Sequence, residues 1–196
     1  MEYFFYCRDR PGTWPLRLEH NDAHWAFMDR YDDVFIARGP TLNPNETTTG
    51  SVHIVDLPDA EAARVFAYEE PNYRLGIYDD VLIRRWSGLH DRTMWDYTGA
   101  IDGYERFLVL GHGKPGADEG PGDEQRRHLT EGDLRDRLIV GGSLLAEDGG
   151  GWTGTALLVE LPDRAAAEAV LPGSPYGLAG MYESVEVLPW RFGGRS

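Results

Sequence analysis

Moved along by 104 positions, the sequence falls on itself. Gly50-Ser51-Val52-His53-Ile54-Val55-Asp56-Leu57-Pro58-Asp59 lands on Gly154-Thr155-Ala156-Leu157-Leu158-Val159-Glu160-Leu161-Pro162-Asp163. Pro71, Gly76, Tyr78, Val81 and Trp86 land on Pro175, Gly180, Tyr182, Val185 and Trp190. Residues 50–86 and 154–190 share 12 identities in 37 ungapped positions, where chance gives roughly two or three. The same shift puts residues 3–6 on 107–110 and His24 on His128. Beyond His24 one residue is lost in the second copy, so Gly39 meets Gly142. A chain of 196 residues built this way must fold one supersecondary unit twice. The expected organisation is a first domain over 1–87, a linker over 88–103 and a second domain over 104–192.

Within each copy the pattern reads strand, helix, strand, strand, helix, strand. Residues 3–8 are aromatic and β-prone. Residues 16–31 carry Leu16, Ala23, Phe27 and Tyr31 near helical spacing. A short strand over 34–38 closes at Gly39-Pro40, and another spans 50–57. Asp59 is placed to cap an alanine-rich helix over 60–68, with Pro58 just ahead of it. The last strand covers 77–86. This β-α-β-β-α-β order is the ferredoxin-like arrangement, an α+β fold.

Tyr3-Phe4-Phe5-Tyr6-Cys7 is apolar or aromatic on both alternating faces, as are residues 107–110 and 157–159. An antiparallel sheet with one wet face alternates instead. Helices cover one face, so a second layer must cover the other. The expectation is two ferredoxin-like repeats packed sheet to sheet as an intrachain α/β-barrel. Such a chain forms its own pseudo-dimer and is expected as a monomer or a homodimer.

The net charge of -14 excludes a nucleic-acid partner, which needs a basic surface to release counterions. It disfavours anionic membrane surfaces equally. No apolar run approaches the roughly 20 residues of a membrane span. The first residues lack a basic segment ahead of an apolar one, so a cytoplasmic protein is expected. The single cysteine, Cys7, excludes an internal disulfide and a cysteine-rich metal site. Lys114, the lone lysine, leaves little for Schiff-base chemistry. There is no Gly-x-Ser-x-Gly elbow, no phosphate-binding glycine loop and no dinucleotide fingerprint. Residues 112–123, rich in glycine, proline and acids, read as a mobile loop and a candidate lid.

Several short motifs remain, and their order is specific. Phe4-Phe5-Tyr6-Cys7-Arg8-Asp9, then Arg17, His24, Gly39-Pro40, Gly50-Ser51, Glu70-Pro71 and Gly76-Ile77-Tyr78 resemble the YCII-related family of the dimeric α/β-barrel group. The resemblance is nearly complete over 1–86 and weaker over 104–191. It implies a ferredoxin-like domain that pairs sheet to sheet. It also implies an active-site pair, a histidine on the first helix and an acid before the second proline, here His24 and Glu70. A few such relatives dehydrohalogenate or isomerise small acids derived from rings. The family pattern has aspartate where this chain has Glu70, and tyrosine where it has Asn72. In the second copy Glu70 becomes Ser174 and Asp9 becomes Gly113, so that copy keeps the scaffold and loses most of the implied chemistry.

The candidate residues carry that chemistry as follows. His24 can exchange protons near neutral pH, and a carboxylate such as Glu70 would fix its tautomer and raise its basicity. Asp9 and Arg17 bracket the Pro11-Gly12 turn. Arg17 can grip a substrate carboxylate with Asp9 orienting it, or the two can form a structural ion pair. His53 stands where the other copy has Leu157, and a polar residue there can line a pocket. His20 and His24 share a helix face, but no third ligand stands at a telling spacing, so no metal is expected. Trp14, Trp25, Phe27, Tyr73, Trp86 and Trp95 are candidates for pocket walls or core. The reading is an enzyme of lyase or isomerase type, acting in secondary or catabolic metabolism. It would isomerise, eliminate from or cyclise a small polar or ring-derived substrate, without a cofactor. The alternative is a non-catalytic module that binds or senses a small molecule.

Overall fold

The structure, a computed structural model, describes residues 1–117 and 120–194. Asp118 and Glu119, in the candidate lid, lie outside the described residues. The chain divides into two compact units. One holds residues 1–86 together with the segment that begins at Arg191, and the other spans Ser87–Trp190.

The first unit runs β1 (Glu2–Asp9), α1 (Trp14–Glu19), α2 (Asn21–Met28), a 3-10 turn (Asp29–Val34), β2 (Phe35–Leu42), β3 (Thr48–Asp56), α3 (Ala60–Tyr68), α4 (Pro71–Arg74) and β4 (Tyr78–Gly88). Its strands lie in the order β2-β3-β1-β4, all antiparallel. The helical stretch expected as one piece over 16–31 is broken. His20 leaves helical geometry at φ -106° and ψ 13°, ending α1 and starting α2. The tail becomes a 3-10 turn at Asp29, Asp32 and Asp33, residues that favour caps and turns over helix interiors. Asp59 caps α3 as expected, accepting from the Ala62 N–H at 2.8 Å.

The core of this unit is aromatic. Tyr3, Phe5, Phe27, Phe35, Phe66 and Tyr78 cluster with Val55, Leu57 and Ile77 on the helix side of the sheet. Phe4, Tyr6, Val52 and Ile54 on the other face are buried as well. Phe4 stacks on Trp86 with ring centroids 6.0 Å apart.

The second unit repeats the plan with β5 (Glu105–Gly113), α5 (Gly122–Glu131), β6 (Leu138–Leu145), β7 (Trp152–Leu161), α6 (Arg164–Val170), α7 (Pro175–Leu178) and β8 (Tyr182–Pro189). Its strand order is β6-β7-β5-β8. Asp163 caps α6 through the Ala166 N–H at 2.8 Å, the twin of the Asp59 cap. Gly76 and Gly180 turn the chain from α4 into β4 and from α7 into β8, at φ 70 and φ 68 respectively. Glycine takes up this left-handed backbone without a Cβ penalty. The core here is mainly aliphatic, with Val109, Leu129, Leu138, Leu157 and Leu171 packed around Phe107. Residues 88–103 are tied down within this unit. Leu89 N–H donates to Gly141 O at 2.8 Å, Met94 is buried, and Ile101 N–H donates to the buried Glu160 carboxylate at 2.7 Å. No helix among the described residues is long and apolar enough to cross a membrane.

Candidate active site

Glu70 reaches its place through a cap. It precedes Pro71, which opens α4, a position where proline is at home because its missing N–H is not needed. The Glu70 Oε2 accepts from the Tyr73 N–H at 3.2 Å. That fixes the carboxylate and leaves Oε1 turned to α2, where His24 Nδ1 lies 2.5 Å away. Glu70 is 2% exposed. Asn72, fully buried, sits beside both, its Nδ2 3.1 Å from His24 Nδ1 and donating to Tyr78 Oη at 3.4 Å. Two residues 46 apart in sequence are thus brought together. Because a carboxylate only accepts, His24 gives Nδ1–H to Glu70, and its Nε2 has no protein partner among the described residues.

A cavity of about 390 Å³ opens beside this pair. Trp14, Arg17, His24 and Trp25 line it from α1 and α2; Ser51 and His53 line it from β3. Phe27 and Trp86 belong to the core, while Tyr73 and Trp95 are exposed. Of the candidate aromatics, Trp14 and Trp25 are therefore the cavity walls and the others lie elsewhere.

Arg17 and Asp9 meet each other in a two-pronged contact, Nε to Oδ2 and Nη2 to Oδ1, both 2.8 Å. Nη2 also donates to Ser51 Oγ at 3.0 Å. The fork expected to hold a substrate carboxylate is occupied by Asp9. What Arg17 presents to the cavity is the remaining edge of a buried ion pair, over the Tyr78 ring at 5.7 Å. Burial pushes the Asp9 carboxyl up, and its hydrogen bond from Arg17 opposes that, because desolvation and a donor to the charged form act in opposite senses. Burial also pushes up the Cys7 thiol and the Tyr78 phenol, with the Glu70 charge adding to both. Neither is a ready nucleophile or base.

His53 is 3% exposed, its ring packed edge-on against Phe66 at 5.5 Å and 6.3 Å from His24. Its Nδ1 is buried without a partner. Burial, reinforced by the neighbouring His24 and by the Arg17 and Arg38 guanidiniums, holds its pKa well below 6.5. His53 is therefore neutral in the folded protein, while an unfolded chain takes up a proton near pH 6.5. Stability falls as pH drops through that value, by up to about 1.4 kcal/mol per pH unit. His53→Leu, the residue of the other copy, should remove that share. Between about pH 7 and about pH 5.5, urea midpoints should show the variant gaining about 1.3 kcal/mol on wild type.

His20 lies at the break between α1 and α2. Among the described residues no three His, Cys, Asp or Glu side chains cluster as metal ligands would.

In the second unit Ser174 keeps the cap and loses the reach. Its Oγ accepts from the Gly177 N–H at 3.3 Å, as Glu70 does from Tyr73. The histidine expected to survive there, His128, points to solvent. Gln125 instead faces the tyrosines, accepting from Tyr176 N–H at 3.0 Å and donating to Tyr182 Oη at 3.5 Å. Trp152 and Tyr176, with ring centroids 4.9 Å apart, fill the neighbouring space. Tyr182 donates to Thr155 Oγ1 at 3.0 Å, and burial pushes its phenol up to about 12. A histidine does meet a carboxylate in this unit, His112 Nε2 to Glu186 Oε1 at 2.6 Å. That pair lies part-exposed on the adjacent strands β5 and β8, away from the helix cap.

The model of the YCII-related domain matches residues 1–87 and again 106–191. The chain belongs to the YCII-related family. It is a tandem of two YCII-related domains. Over 92 residues it is 28% identical to an uncharacterized protein of Haemophilus influenzae, covering 43% of this chain and 94% of that one. A chlorite dismutase from Candidatus Nitrospira defluvii, solved as a mutant with cyanide, superposes over 97% of this chain and 90% of its own, with TM-score 0.61 and 6% identity. An anthrone oxidase-like protein superposes over 98% and 90%, with TM-score 0.57 and 11% identity. These two likenesses show the fold, that of the ferredoxin-like, dimeric α/β-barrel group. The 5-chloro-2-hydroxyhydroquinone dehydrochlorinase of Burkholderia phenoliruptrix is 25% identical over 44% of this chain and 94% of that one, with TM-score 0.42. The first YCII-related domain joins a helix histidine to the capping carboxylate; in the second the cap stands without it.

Proposed function

We propose that the cavity of the first unit is a cofactor-independent acid–base site for a small polar or ring-derived molecule. His24 transfers the proton and Glu70 orients it. The observation that carries this reading is the 2.5 Å contact from His24 Nδ1 to a buried carboxylate, with the ring at the cavity wall. Nδ1–H held by Glu70 leaves the lone pair on Nε2, the form a general base needs. The same carboxylate stabilises the imidazolium once the proton has arrived. The repeat supports a purpose for the acid beyond capping. Serine caps α7 equally well, so the longer side chain at 70 is used for its second oxygen.

The chemistry runs through an enolate. Nε2 takes a proton from carbon next to a carbonyl, and the C–H electron pair moves onto the carbonyl oxygen. Return of the proton at another carbon is an isomerisation. Departure of a group from the adjacent carbon, with its electron pair, is an elimination. Attack of the enolate on an electrophile in the same molecule closes a ring. Arg17 contributes a fixed positive charge at the wall, and His53 lines the same cavity as a neutral ring.

Solvent exchange tests this directly. Small cyclic and acyclic carbon acids are incubated with the protein in heavy water and followed by proton NMR. His24→Gln should lower the exchange rate of the best compound at least about 100-fold. Glu70→Ser should keep the fold, since serine caps the twin helix, and also lower the rate. A rate indifferent to both substitutions, or no exchange across the panel, overturns the acid–base reading in favour of a binding or sensing module.

A further inference from the structure

The cavity has a wall that the first repeat does not supply. Residues 191–194 follow β8 in the chain and lie with the first unit. Arg191 N–H donates to Pro40 O at 3.3 Å, and Gly193 N–H donates to Arg38 O at 3.0 Å. Donors two residues apart facing one strand are the pattern of an added strand. β2 is the outer strand on that side of the first unit's sheet order, and an outer strand has an edge that can take another. The seat is tight. A Cβ on Gly193 would stand 2.8 Å from Gly39 Cα and 3.2 Å from Arg38 O. Only glycine, which has no Cβ, fits there. Gly194 follows at φ 122. Phe192, half-buried between these contacts, lines the cavity together with His24, His53, Trp14 and Trp25.

Phe192, Gly193 and Gly194 lie beyond both family matches, the second of which ends at residue 191. Phe192, the aromatic side chain of the wall, therefore stands outside the matched family pattern. The space it helps enclose is about 390 Å³. That is at the small end of ligand cavities, which run roughly 300–1,000 Å³.

We propose that residues 191–194 form a selectivity strap, and that Phe192 sets the size of molecule that reaches His24. The ligand class that fits is a molecule of a single small ring, admitted against the aromatic walls. This rests on the cavity being the working site. It does not rest on His24 transferring a proton.

The test reads access to His24 and not turnover. The full chain is treated with diethyl pyrocarbonate, a small reagent for the imidazole nitrogen, and separately with 2-bromo-2′-acetonaphthone, a ring-bearing reagent whose two fused rings exceed the class admitted. Modification of each histidine is followed by peptide mass mapping in wild type, Phe192→Ala and Gly193→Pro. The proline variant removes the N–H that binds Arg38 O and crowds Gly39. In both variants the rate of the ring-bearing reagent at His24, relative to the small one, should rise about tenfold, the scale on which a pocket wall discriminates size. His128, exposed in the second unit, is the internal reference and should not change. If the proline variant fails to fold, Phe192→Ala decides. An unchanged ratio, or a rise shared by His128, overturns the strap. A raised ratio with no His24-dependent exchange in heavy water keeps the strap and removes the acid–base reading, so the two fail separately.

Discussion

Arg17→Met should cost about 3–5 kcal/mol of folding stability, the usual penalty for removing one partner of a buried ion pair. Both side chains are nearly inaccessible, at 7% and 6% exposure. Methionine fills the stem of the arginine but leaves the Asp9 carboxylate without its two 2.8 Å donors, and Ser51 without the Nη2–H. The sign of the pH dependence distinguishes this cause from lost packing. Burial already pushes the Asp9 carboxyl up, against the hydrogen bond and charge of Arg17. Without Arg17 it binds a proton in the folded state at a pH where the unfolded chain does not. Folding of the variant is then linked to proton uptake, and the deficit should shrink as pH falls from neutral toward the ordinary carboxylate range. Asp9→Asn in the Arg17→Met background should recover most of the loss at neutral pH. Denaturant midpoints of the two single variants and the double variant close the cycle. A deficit that ignores both pH and Asp9 would mean that the pair is not what holds this corner.

Phe66→Ala should be as damaging, again about 3–5 kcal/mol. Phe66 is 1% exposed. Its ring meets Phe5 at 4.7 Å, Tyr31 at 4.9 Å, His53 at 5.5 Å, and Phe27 and Phe35 at 6.1 Å each. Five rings lose their common neighbour, and a close-packed interior refills such a space only in part. The second unit gives the contrast, since Val170 stands at the repeat-equivalent position in a core of leucines and valines. Val170→Ala should therefore cost far less, about 1 kcal/mol or somewhat above it. Urea titration with an unchanged slope checks both. Phe66→Ala should also loosen His53, whose ring rests edge-on against it, and so weaken the acid sensitivity that His53 brings to the wild type.

The parts of this fold that local rules govern are readable in the sequence. The 104-residue shift, the Asp59 cap and its Asp163 twin, and the two-faced apolar strands depend on neighbouring residues or on the repeat. The pairing of His24 with Glu70 is legible only through family resemblance, since 46 residues of chain carry no spacing signal of their own. What the sequence misplaces, it misplaces for tertiary reasons. The helix over 16–31 has acceptable periodicity, yet it breaks at His20 and tightens at the aspartates. The shift carries His24 onto His128, but the inward-facing pair of α5 is Gln125 and Leu129, both buried. Their spacing of one helical turn is the available clue, and it places the counterpart of His24 one turn earlier. The segment 191–194 offers nothing to read. A pair of glycines after a strand is ordinary until its backbone is seen against Gly39.

The cap at Ser174 has a consequence for redesign. A carboxylate side chain can be hung on α7 without asking the backbone for anything new, because the position already ends in an oxygen aimed at the helix start. Gln125→His together with Ser174→Glu would therefore graft the histidine–acid dyad into the domain that lacks it. Trp152 and Tyr176 would still occupy the volume beside it. Such a graft would be a dyad with nowhere for a guest to sit, and it would isolate what proton affinity alone contributes when the host chamber is sealed.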